Sequence, residues 1–279
     1  MNYYDLILAK KLGGGGGGSV TINPLSVSAN GTYSAPTGTA YSPVTVSVSG
    51  GGVDTLAERL NNTLSAYSSN DVTSIPTNAF YNASITEVTF PNVTTVGVAA
   101  FSGCTLLKSV SMERVTYISQ SAFSNCKVLT NVYMPLLSSI SGYVFAGASS
   151  LSTIDFPNLS ICGIGAFAGC SKLADVSLPT LKEVTNQVFR SCTSLRTLTL
   201  PVASLLSASA FAGCTKLESL YLQSTAVCSL AATNTFSSSP IVNSSYLGHF
   251  GSVFVPSSLL TSYTTATNWA SLSARIVGV

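Results

Sequence analysis

The stretch from 166 to 200, AFAGCSKLADVSLPTLKEVTNQVFRSCTSLRTLTL, holds one structural unit and most of its repetition. Phe167 and Phe189 lie 22 residues apart, and Cys170/Cys192, Leu173/Leu195, Val176/Leu198 and Leu178/Leu200 keep the same offset. Outward from this stretch the beat continues through Phe80, Phe101, Phe123, Phe145 and Phe211, with a first gap of 21 residues and 22 thereafter. A bulky apolar residue at a fixed period is the mark of a stacked-repeat solenoid.

Within the unit, Val-x-Leu alternation has period 2 and predicts a short strand with both apolar side chains on one side. Pro91, Pro135, Pro157, Pro179 and Pro201 follow such strands and end them, lacking the N–H a ladder needs. Val-x-x-Ile predicts a second short extended or turn segment. Ala-Phe-x-x-Cys-x-x-Leu, with apolar residues three apart, suits a single helical turn. One such coil cannot bury its own apolar side. Stacked coils can, each residue type lying over its own kind.

The unit Leu-x-x-Val-x-Leu-Pro-x-Val-x-x-Ile-x-x-x-Ala-Phe-x-x-Cys resembles the BspA-like leucine-rich repeats of bacterial surface and phage-borne proteins over residues 71–236. The resemblance implies a right-handed solenoid, mainly β with short helical turns and a parallel sheet on one side, and an adhesive or ligand-binding role without catalytic residues in the repeat. Residues 53–70 read as an N-terminal cap, with Asp54 and Thr55 as helix N-caps and Leu56 and Leu60 on one helix side. Residues 237–279 read as a C-terminal cap: a strand at 250–255, a helix start at Pro256 and Ser257, and an apolar set of Leu259, Leu260, Tyr263, Trp269, Leu272 and Ile276. A cap is needed because the last coil otherwise exposes its sheet edge and apolar interior.

Only 8% of the residues are charged, against about 25% in ordinary domains, so Ser, Thr and Asn must cover the solvent side. A net charge of +2 without a basic stripe argues against nucleic acid. No run approaches the length of a membrane helix. No secretory signal is visible in MNYYDLILAKKL, whose charges follow its short apolar run. Five of the seven cysteines (Cys104, Cys126, Cys170, Cys192, Cys214) share one interior column, with Ala148 replacing the sixth. Cys162 and Cys228 replace Val or Ile. Cysteines that alternate with Ala, Val and Leu behave as small hydrophobes, and reduced core thiols are expected.

The N-terminal third divides into a short apolar peptide (1–12), six glycines (13–18) and a small β module (19–52) with Asn30-Gly31 as a hairpin turn. Ser-Val follows the glycines where a P-loop needs Gly-Lys-Ser/Thr, so a flexible tether is expected. The apolar peptide, the glycine run and PLSVSANGTYSAPTGTAYSPVTVSV together resemble the leader of many phage and prophage structural proteins. That resemblance implies docking on phage structural proteins through Tyr3, Tyr4, Leu6 and Ile7. It also implies a virion location after synthesis in the host cytoplasm, with self-association, for example as a homotrimer, through 1–49.

No catalytic constellation appears: His249 is the single histidine, the acidic residues are scattered, and no CxxC metal pair exists. No enzyme activity, cofactor or metal is expected. Residues alternating with the buried Val and Leu must face solvent. One column reads Glu87, Ser109, Asn131, Thr153, Asp175, Thr197, Ser219. Its neighbour reads Thr89, Ser111, Tyr133, Asp155, Ser177, Thr199, Tyr221. Tyrosine beside small polar groups suits protein or glycan contact. Glu87, Thr89, Asn131, Tyr133, Asp155, Asp175 and Tyr221 are therefore the expected ligand-binding positions, flanked by Lys108, Arg196 and Glu218. The expected function is a non-enzymatic virion protein of capsid or tail whose repeats bind a host-surface or mucosal protein or glycan. A bacterial cell-surface adhesin is the alternative.

Overall fold

A computed structural model of the chain describes residues 66–70, 72–242 and 251–279, together with the backbone of 20–23 and 45–48. It is a three-sided parallel β-solenoid. On the first side the alternating segments form strands at Ala66–Ser68, Glu87–Thr89, Ser109–Ser111, Asn131–Tyr133, Asp175–Ser177, Thr197–Leu200 and Ser219–Leu222. Pairing is parallel and follows the repeat, Glu87↔Ser109↔Asn131 and Asp175↔Thr197↔Ser219. Val88, Val110, Leu198 and Leu220 between them are buried. The second side carries two-residue strands, among them Thr95–Val96, Tyr117–Ile118, Ser139–Ile140 and Ile161–Cys162, again parallel and stepped by one coil.

The third side carries the phenylalanines. Their segment winds through successive i→i+3 bonds, as in Ala100 N–H to Gly97 and Cys104 N–H to Phe101, and in most coils does not become regular helix. The reason lies two residues to either side of each phenylalanine. Asn82, Gly103, Asn125, Gly147, Gly169, Ser191 and Gly213 after it, and Asn78, Ala99, Ser121, Tyr143, Gly165, Gln187 and Ser209 before it, all have positive φ. Asn and Gly tolerate that region, and a helix cannot pass through it. The backbone on this side also bonds from coil to coil, with Phe80 N–H to Ala100 O at 2.7 Å and Phe145 N–H to Ala166 O at 2.7 Å. Beneath it the rings from Phe80 to Phe236 stack in one column at 4.9–5.8 Å with nearly parallel planes.

All seven cysteines are free and buried. In five coils the thiol donates to the carbonyl of the phenylalanine one coil earlier, as Cys126 to Phe101 at 3.1 Å and Cys214 to Phe189 at 3.0 Å. Burial pushes the thiols of Cys104, Cys170, Cys214 and Cys228 up to about 12 and that of Cys192 well above its ordinary value. Thiolate is the reactive form, so the native protein is expected to give no rapid reaction with a thiol-specific chromogenic disulfide at pH 8. The denatured chain should titrate seven thiols. Rapid reaction of two or more thiols in the native state contradicts this burial. The linkage sign follows: a folded pKa raised by burial stabilises fully below the unfolded value, about 8.5. That stability is lost as pH climbs from there through about 12.

Past the last repeat, Ser252–Val255 adds to the first sheet beside Ser219–Leu222, and Ile276–Gly278 adds beyond it. Between these two strands run a 3-10 turn at Ser257–Leu259, a helix at Leu260–Thr265 and a 3-10 helix at Ala270–Arg275. The expected cap is thus helical, and it finishes the sheet with a strand that the sequence pattern does not announce. Its polar contacts are made at the second side. Tyr263 Oη accepts from Cys228 N–H at 2.8 Å, Trp269 Nε1 donates to Cys228 O at 2.6 Å, and Asn268 Nδ2 donates to Leu230 O at 2.6 Å. These satisfy backbone groups that a further coil would otherwise take.

At the other end, Val20–Asn23 pairs antiparallel with Thr45–Val48, which runs parallel to Ala66–Ser68. These two strands therefore extend the first sheet. The apolar peptide with Tyr3, Tyr4, Leu6 and Ile7, the glycine run, Asn30-Gly31, the expected helix after Asp54, and His249 lie outside the described residues.

Candidate ligand-binding face

The first sheet faces outward with two columns of side chains in strict parallel register. Glu87, Ser109 and Asn131 form one run, and Thr89, Ser111 and Tyr133 the run beside it. Tyr133 is the most prominent of these, 57% exposed on a strand of small polar neighbours. Farther along, Asp175 and Thr197 are paired, and the Arg196 guanidinium meets the Asp175 carboxylate at 3.3 Å. Both groups are more than half exposed, so the pair orients two charges on the face and contributes little to stability. Asp155 lies between Tyr133 and Ser177 in a coil that forms no strand on this side.

Of the expected positions, Glu87, Thr89, Asn131 and Tyr133 are gathered near one end of the face and Asp175 and Tyr221 toward the other. Tyr221 does not stand alone. Its ring stacks on Phe254 at 4.6 Å and 14°, and Phe254 is paired in turn with Val277, which is 40% exposed. Phe254 and Val277 are face residues that sequence reasoning missed. The signal is present in Ser-Val-Phe-Val at 252–255, where Phe254 alternates between two buried valines, but by spacing the segment reads as cap and not as another turn of the same sheet.

The face carries scattered charges, Glu87, Asp155 and the Asp175–Arg196 pair, and two aromatic points, Tyr133 and the Tyr221–Phe254 pair. Outside this face other large side chains are exposed as well, Ile161 at 62%. Tyr117 hydroxyl bonds Ser141 hydroxyl at 2.8 Å, and Ile161 and Ile164 stand out beside Tyr143. Among the described residues no three His, Cys, Asp or Glu side chains gather as a metal site, and no helix is long and apolar enough to cross a membrane.

The repeat geometry agrees with what the chain is similar to. The BspA type leucine rich repeat region matches residues 61–165 and 138–252. The chain belongs to the BspA-type leucine-rich repeat family. Proteins of this family are typically found at cell surfaces, often as adhesins, and their solenoids serve as binding scaffolds. Among solved structures, the BspA-type solenoid is similar to the leucine-rich repeat protein TpLRR of T. pallidum. Identity is 26% and the TM-score 0.51, with 62% of this chain and 82% of that chain covered. A leucine-rich repeat protein from Bacteroides ovatus is 25% identical with a TM-score of 0.40, over 66% and 59% of the two chains. A leucine rich cell surface protein from Faecalibacterium prausnitzii is 17% identical with a TM-score of 0.34, over 84% and 87%. No curated protein matches the chain.

Proposed function

We propose that this BspA-type solenoid is a non-enzymatic binding module whose outward sheet face takes a protein or glycan of a host or mucosal surface. The observation that carries the reading is the pair of aromatic points on that face. Tyr133 is exposed, and the half-buried rings of Tyr221 and Phe254 stack on each other at the outward surface of the same side. Rigid aromatic side chains give large contact area at low entropy cost. The test is binding to glycan and surface-protein arrays. Tyr133→Ala and Tyr221→Ala are each expected to weaken the signal about tenfold, with far-UV circular dichroism unchanged. Signals equal to wild type in both variants contradict the reading.

The module is proposed to be carried on a phage or prophage particle through its N-terminal segment. The support is the leader resemblance of residues 1–49, with docking by Tyr3, Tyr4, Leu6 and Ile7. Quantitative mass spectrometry of purified particles and of cell envelopes from the source separates the two carriers. A fixed copy number per particle supports the virion reading, and recovery in envelopes alone replaces it with a cell-surface adhesin.

A further inference from the structure

The ladder of the binding face is continuous up to Asn131–Tyr133 and again from Asp175–Ser177 onward. Between them Thr153, Ile154 and Asp155 form no strand. Neighbouring coils show what is missing. Thr130 and Asn131 N–H both reach Lys108 O at 3.0 and 3.1 Å, Met112 N–H reaches Tyr133 O at 2.9 Å, and Leu178 N–H reaches Thr199 O at 3.1 Å. The corresponding bonds of the central coil are not made: Ser152 and Thr153 to Thr130, Met134 to Asp155, and Phe156 to Ser177. Ser150 N–H to Lys127 O at 3.1 Å and Ala174 N–H to Ser152 O at 3.4 Å remain.

The second side opens in the same place. Ile161–Cys162 pairs with Ser139–Ile140, but the sheet stops there and a new one starts at Glu183–Val184. Across that gap Cys162 O is met by the Thr185 hydroxyl at 2.9 Å. The third side stays closed: Phe145 N–H to Ala166 O at 2.7 Å, Phe167 N–H to Val188 O at 3.0 Å, and the rings of Phe145, Phe167 and Phe189 stacked at 5.6 Å.

Two residues set this coil apart. Ala148 has no thiol to bond Phe123 O, and the small Cys162 is aligned with Ile118 and Ile140 in the second-side ladder. Phe156 lies against Phe145 and Phe167 at 6.0 and 6.5 Å, but Phe90 does the same against Phe80 and Phe101 in a coil whose ladder is intact. The phenylalanine spacing widens here as well, from 4.9 and 5.0 Å before Phe123 to 5.5–5.8 Å from Phe123 to Phe211. Val132 and Ile154, inward-facing positions, are only partly buried.

We propose that the coil at 148–169 is a hinge. Toward the following coil the first side keeps one long backbone bond and the second side only the hydroxyl bonds of Thr180 to Leu159 O and Thr185 to Cys162 O, while the third is held by stacked rings and backbone hydrogen bonds, so the two halves of the solenoid pivot about the phenylalanine column. The hinge lies between Tyr133 and the Tyr221–Phe254 pair, and bending changes their separation. A ligand that engages both points would be accommodated by that motion; the hinge itself does not depend on one.

Hydrogen exchange followed by mass spectrometry on the intact chain without ligand tests it. Amides of Met134 and 153–156 are expected to exchange at least about tenfold faster than those of Met112 and Leu178. Those of Phe145, Phe167 and Gly169 on the third side should stay as protected as Phe101 and Phe123. Equal protection of 153–156 and the flanking strands overturns the proposal. So does equally fast exchange around the whole coil, which would mean local unfolding in place of a pivot.

Discussion

Phe167→Ala is expected to lower the free energy of unfolding by about 3–5 kcal/mol. The ring is fully buried and stacks at 5.6 Å on Phe145 below and at 5.6 Å on Phe189 above, with Phe156 at 6.5 Å. In a stacked repeat, stability is the sum of each coil's own term and its two interfaces. One phenylalanine serves the coil and both interfaces, and its removal leaves a cavity that the rigid backbone bonds of the third side prevent from collapsing. Neighbouring face positions provide the control. Thr197→Ala, half-exposed on the same stack, is expected to stay within about 0.5 kcal/mol of wild type. Equilibrium denaturation in urea reads both, and a loss below about 1 kcal/mol for Phe167→Ala contradicts a shared phenylalanine core.

Trp269→Ala is expected to cost about 3–5 kcal/mol, and Trp269→Phe about 1–3 kcal/mol. The indole is fully buried, packs edge-on to Tyr263 at 5.4 Å and against Phe236 at 6.2 Å, and donates to Cys228 O at 2.6 Å. Alanine removes the packing and the bond together. Phenylalanine keeps most of the packing but leaves Cys228 O buried without that donor, so Trp269→Phe against wild type reports the capping bond and the difference between the two variants reports the packing. Thermal melts of both variants check the order. Equal stability of Trp269→Phe and wild type would show that the bond does no capping.

Much of the fold is legible in the sequence because the repeat averages over its own exceptions. Seven phenylalanines in register fix the coil length, and Val-x-Leu fixes which side chains point in, so the Glu87 and Thr89 columns follow from the pattern alone. The features without a sequence signal come from interactions between coils. The left-handed residues before the phenylalanines include Ala99, Ser121, Gln187 and Tyr143, none of which advertises positive φ. The bond from Phe80 N–H to Ala100 O joins residues 20 apart with no local signature. The strand expected at 250–255 is present, but its place in the first sheet and the last strand beyond it are hidden because the cap departs from the 22-residue spacing: Tyr221 pairs with Phe254, 33 residues on. The period alone puts Asp155 on a strand, and the loosening of its coil goes with the small residues Ala148 and Cys162.

Ligand bound as proposed covers the outward face of the first sheet. Hydroxyl-radical footprinting with the tightest-binding array molecule tests it most directly. Binding there protects Tyr133, Tyr221 and Phe254 and leaves Tyr117 and Tyr143 on the other sides as reactive as in the free protein. Protection of Tyr117 and Tyr143 with Tyr133 and Tyr221 unchanged would contradict it.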